Sequence, residues 1–66
     1  MLIMLNGSPR DCANGTTVAQ LLEEAGYGGR RVAVEVNREI VPRSQHIRYV
    51  LAEGDQVEIV HAIGGG

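Results

Sequence analysis

One segment restricts the fold of this chain more than any other: "ANGTTVAQLLEEAGYGG", residues 13–29. It reads as a helix with both ends marked. Thr17 stands as N-cap with Gln20 three residues on, so "TVAQ" is a capping box. Val18, Leu21, Leu22 and Ala25 follow the i, i+3, i+4, i+7 spacing of one apolar stripe. Gln20, Glu23 and Glu24 lie off that stripe. Gly26 supplies a residue past the helix end that tolerates positive φ. No other part of the sequence shows a helical period of this length. A single apolar stripe covers one face of one sheet, so the expected class is a two-layer α+β domain.

The flanking segments read as strands. "LIML" (Leu2 to Leu5) stops at Asn6-Gly7, the strongest short hairpin signal, and "SPRDCA" returns beside it. Pro9 lies near its start, where proline is tolerated. The hairpin is expected to span residue 2 to about 13. "RRVAVEVN" alternates, with Val32, Val34 and Val36 on one face and Arg31, Ala33, Glu35 and Asn37 on the other. "REIVPR" is a short strand stopped by Pro42. "SQHIRYVLAEGD" allows at most one helical turn before the Gly54-Asp55 turn. "QVEIVHAI" is the last strand, with Val57, Ile59 and His61 on one face and Glu58, Val60 and Ala62 on the other.

With 66 residues the chain is expected to form one domain, residues 1–66, with a tail from residue 63. Cys12 is the only cysteine, which excludes an internal disulfide, and His46 and His61 with one cysteine form no zinc-ligand spacing. The core must be aliphatic, because the aromatic residues are Tyr27 and Tyr49 alone. The net charge is −2 and the chain has no lysine, so no basic patch or stacking platform points to nucleic acid. "MLIML" is too short for a signal-peptide core or a membrane span. The expected location is the cytoplasm, which a free thiol also fits.

The chain ends in "HAIGGG". Three glycines cannot cap a helix or hold a strand. Fully extended, Ile63 to Gly66 reaches about 14 Å at most, and without Cβ atoms it is thin enough for a narrow channel. At its tip is an unhindered carboxylate, ionised at neutral pH. Such a group can attack the α-phosphate of a nucleotide, and the acyl-adenylate can then pass to a sulfur or nitrogen nucleophile. An isolated glycine run reads as a frayed end or an expression scar. Here the glycines follow directly on a core strand, which shifts the balance towards chemistry.

The hairpin, the single helix, "VNREIVPR" and "GDQVEIVHAIGGG" together resemble the ThiS family, the ubiquitin-like β-grasp sulfur carriers of thiamine biosynthesis. The resemblance covers essentially the whole chain. It implies a mixed sheet of four to five strands packed on one helix, with a flexible C-terminal glycine tail. It implies that the Gly66 carboxylate is adenylated by a ThiF-like activating enzyme using ATP and magnesium, and becomes a thiocarboxylate. Gly64 and Gly65 lead to it. A cysteine desulfurase or related donor would supply the sulfur, and a ThiG-like thiazole synthase would take it into the thiazole ring. The chain would be a carrier and co-substrate with no bound cofactor, and not itself a catalyst. Readings left open are a carrier for molybdopterin, tRNA thiolation or cysteine synthesis, a β-grasp interaction module without chemistry at its end, and a protein-conjugating modifier.

Other residues carry weaker signals. Cys12 reads as a small packed residue rather than a reactive thiol. His46 reads as solvated, and His61 as packing at the end of the sheet. Val60 falls on the open face and, with Ile63, forms a docking patch for partners or an ordinary aliphatic surface, two readings of equal weight. Arg43 and Arg48 read as solvated charges. "GYGGR" follows a helix and does not precede one, so it reads as an exit turn rather than a phosphate loop.

Overall fold

The computed structural model describes residues 1–61. The elements, in order, are strand β1 (Leu2–Leu5), strand β2 (Ser8–Asp11), helix α1 (Val18–Glu24), strand β3 (Val32–Val36), strand β4 (Glu39–Ile40), a 3-10 turn (Arg43–Gln45) and strand β5 (Gln56–His61). The five strands form one mixed sheet in the order β2-β1-β5-β3-β4. β1 and β5 are parallel neighbours, and the other pairs are antiparallel. This is the β-grasp arrangement, in which the first and last strands lie side by side in the middle of the sheet.

The hairpin turns at Asn6 (φ 49°) and Gly7 (φ 83°), both left-handed as a two-residue turn of this kind requires. The proline-bearing β2 lies at the edge, where a missing N–H breaks no ladder. α1 has the expected capping box: the Gln20 N–H donates to Thr17 Oγ1 at 3.2 Å and the Thr17 N–H to Gln20 Oε1 at 2.9 Å. Gly26 ends the helix at φ 90°.

The core lies between α1 and one sheet face. Val18 and Leu21 of the helix meet Ile3, Val34, Val36, Val57 and Ile59 of the sheet, and Cys12, Val41 and Leu51 from the connections complete it. Each such aliphatic side chain contributes about 1.5–3 kcal/mol on burial. Cys12 is a packed residue, as its sequence context suggested.

His46 departs from expectation. It is 8 % exposed, not solvated. The helix start explains why. The first amides of a helix have no intrahelical acceptor. Here the Val18 N–H donates to the Tyr49 carbonyl and the Ala19 N–H to the His46 carbonyl, each at 2.9 Å. The 46–49 backbone is thus held against α1, and the His46 side chain turns inward, where its Nε2 reaches the Val41 carbonyl at 3.0 Å. Ile47 and Val50 take the outer positions, 74 % and 56 % exposed. Backbone demand overrides side-chain hydropathy in this segment.

Candidate functional site

The geometry of the site follows from β5. Its start is fixed by two polar side chains. Asp55 is buried; its Oδ2 accepts from the Ala52 N–H at 2.8 Å and its Oδ1 from the Asn37 side-chain amide at 3.0 Å. Asn37 in turn accepts from the Gln56 N–H through Oδ1, at 3.0 Å, and its own N–H donates to the Gln56 carbonyl at 2.8 Å. Asn37 belongs to "VNREIVPR" and Asp55 to "GDQ", so the two segments that carry the family resemblance meet at the entry to β5.

Further along, β5 outruns its parallel neighbour. β1 pairs with Gln56 and Val57, then leaves at the hairpin turn. The Asn6 N–H donates to the Val57 carbonyl at 2.9 Å. The Asn6 side chain then takes over: its Oδ1 accepts from the Ile59 N–H at 2.8 Å. Past Ile59, β5 is held by β3, with Ala33 opposite Val60 and Val32 opposite His61. The strand therefore carries the chain outward beyond the hairpin, from the middle of the sheet.

The two faces of this end differ. On the helix side His61 meets Tyr27 edge-on, with ring centroids 5.5 Å apart and planes at 63°. His61, expected to pack at the end of the sheet, makes this ring contact there while remaining exposed. On the open side Val60 is 51 % exposed. Two residues back along β5, Glu35 and Glu58 stand directly opposite each other, and Ile40, opposite Glu35, is also exposed. Val60 is thus placed on an open, mixed acidic and apolar face. The remaining expected site residues, Ile63, Gly64, Gly65 and Gly66, lie outside the described residues. No group of three metal-ligating side chains occurs among the described residues, and no helix is long and apolar enough to cross a membrane.

Two residues that position this end were not singled out from sequence. Asn6 was legible as a turn former, but its side chain as an acceptor for an amide 53 residues away was not. Tyr27 has no local signal that places it against His61.

The family model described as the ThiS family matches residues 3–66. The chain belongs to the ThiS family. It is 36 % identical over 66 residues to the sulfur carrier protein ThiS of Escherichia coli, covering all of both chains. It matches the crystal structure of a thiamine biosynthesis protein (ThiS) from Geobacter metallireducens with a TM-score of 0.87, at 30 % identity and full coverage of both. It is also 47 % identical over 66 residues to a thiazole synthase of Magnetococcus marinus. A thiazole synthase of Paramagnetospirillum magneticum is similar at 46 %. The chain spans 20 % of the length of each of these two synthases.

Proposed function

We propose that this chain is the sulfur carrier for thiazole formation in thiamine biosynthesis. The observation that carries the reading is the course of β5. A family member's terminal glycine must enter a partner's active site. The central strand here outruns the hairpin, and its last described pairs, Ala33 with Val60 and Val32 with His61, lie past the point where β1 leaves it. Family membership and the similarity to two thiazole synthases support the pathway.

The chemistry is expected at Gly66, where it carries a free carboxylate. A carboxylate oxygen attacks the α-phosphorus of ATP bound with magnesium on a ThiF-like enzyme. The bond to the β-phosphate breaks, and pyrophosphate leaves. A sulfur nucleophile, supplied by a cysteine desulfurase or related donor, then adds to the acyl carbon and expels AMP. Where the nucleophile is a persulfide, the acyl disulfide that forms is cleaved by a second thiol, which ends in a disulfide with the donor cysteine; the carrier leaves as a thiocarboxylate, the same product that free sulfide gives directly. A ThiG-like thiazole synthase accepts the sulfur. Gly64 and Gly65 give the tip the slender profile that such sites require. Val60, with Ile63, is the docking patch next to the tail. In this scheme the chain is a co-substrate; ATP and magnesium belong to the activating enzyme.

The test is intact mass. The protein is incubated with its organism's ThiF-like enzyme, ATP, magnesium and sulfide. The expected result is a mass gain of one oxygen-to-sulfur exchange, absent after deletion of Gly66. No gain, with an enzyme shown active on another carrier, would overturn the reading.

A further inference from the structure

The sequence holds two Asn-Gly pairs, Asn6-Gly7 and Asn14-Gly15, and the fold treats them differently. We propose that Asn14 is a site of spontaneous deamidation, converted to aspartate and isoaspartate, and that folding shields Asn6 from the same reaction.

The reaction needs an unengaged side-chain amide, a free backbone nitrogen on the next residue, and room for the two to meet. Asn14 meets each demand. It lies in the connection between β2 and α1, is exposed, and its side chain makes no hydrogen bond to any described residue. The Gly15 N–H likewise donates to no described residue. Gly15 stands at φ 90° with open space where a side chain would be, so no side chain screens its nitrogen. The ends of the turn are tied: the Thr16 N–H and the Thr16 hydroxyl both donate to the Ala13 carbonyl, at 3.2 Å and 2.6 Å. Asn14 and Gly15, between those ends, are not tied.

Asn6 has none of this freedom. Its backbone is fixed at φ 49° in the turn between the paired strands β1 and β2. Its N–H donates to the Val57 carbonyl at 2.9 Å, and its Oδ1 accepts from the Ile59 N–H at 2.8 Å. To bring Cγ onto the Gly7 nitrogen, the side chain must release Ile59 and the hairpin must open.

At Asn14 the Gly15 nitrogen gives its proton to base and attacks Cγ. The N–Cγ bond forms, the Cγ–Nδ2 bond breaks, and Nδ2 takes up a proton and leaves as ammonia. Water then opens the cyclic imide. Attack at Cγ gives aspartate; attack at the backbone carbonyl carbon gives isoaspartate, whose main chain runs through Cβ and Cγ. Water is the only co-reactant. Because β2 runs antiparallel to β1 and β1 parallel to β5, Asn14 lies at the opposite end of the sheet from His61. The product adds one negative charge to a chain of net charge −2 and leaves β5 untouched.

The experiment ages the isotope-labelled protein in mildly alkaline buffer. Peptide mass spectrometry follows the exchange of NH2 for OH, and NMR follows the side-chain amide signals of both asparagines. Asn14 should react at least about tenfold faster than Asn6, the factor that roughly one hydrogen bond supplies. Its product should separate into aspartate and isoaspartate forms, with the Ile59 amide still protected. In denaturing urea the two rates should converge, since each asparagine precedes a glycine and the fold is gone. Asn14→Gln should remove the fast phase in the folded protein. Equal rates in the folded protein, a faster Asn6, or a difference that survives in urea would each overturn the proposal.

Discussion

Asn6 gives the sharpest test of how this fold presents its chain end. The residue has two separable tasks. Its backbone sits at φ 49°, in the left-handed region, and its side chain accepts the Ile59 N–H at 2.8 Å. Asn6→Gly keeps the backbone conformation and removes the acceptor. The cost is one hydrogen bond and a partly buried amide left without its partner, about 1–2 kcal/mol. Asn6→Ala adds the left-handed penalty of a Cβ-bearing residue, about 1 kcal/mol more. Asn6→Asp retains an acceptor oxygen at the same position and should stay within about 0.5 kcal/mol of the parent. Thermal unfolding resolves these steps, because 1 kcal/mol moves Tm by about 4–8 °C in a domain of this size. The order of stability should be Asn, Asp, Gly, Ala. Hydrogen exchange should show faster loss of the Ile59 amide in the Gly and Ala variants. If Asn6→Gly unfolds at the parent temperature with Ile59 still protected, the side chain does not hold β5, and the account of how the strand end is positioned fails.

Two further outcomes follow from the packing and the open face. Leu21 is fully buried in the contact between α1 and the sheet; Leu21→Ala should cost about 3–5 kcal/mol, read as a fall in the urea midpoint at unchanged slope or as an unfolded protein. Glu35 and Glu58 oppose each other across β3 and β5; Glu35→Lys should stabilise the fold by about 0.2–1 kcal/mol, and the gain should shrink as salt is raised from low ionic strength. A destabilised Glu35→Lys protein would mean that the carboxylates are not coupled across the strands.

Identification as a family member confirms the resemblance drawn from "VNREIVPR" and "GDQVEIVHAIGGG", and the structure explains it. Asn37 and Asp55 of those segments hydrogen-bond to one another at the entry to the strand that leads to the glycines. The sequence resemblance therefore marks residues that hold this strand in place, as well as the end expected to react.

Local signals were enough wherever a residue's environment depends on its neighbours in the chain. Thr17 and Gln20 lie within one helical turn, so their reciprocal cap could be read directly. The Asn6-Gly7 turn, the Gly26 helix end and the alternation of β3 belong to the same class. His46 was misread because its setting depends on contacts made elsewhere: a helix start needed acceptors for two amides, and the 46–49 backbone supplied them. Sequence alone thus determined the elements, the single apolar stripe and the glycine-ended last strand. Tertiary structure decided that β1 and β5 lie side by side, that Asn6 reaches Ile59 across 53 residues, and that His46 is buried against the Val41 carbonyl. The physical reason is that periodicity and turn chemistry act over a few residues, whereas strand order and buried polar partners are settled only when distant backbone groups compete for the same hydrogen bonds.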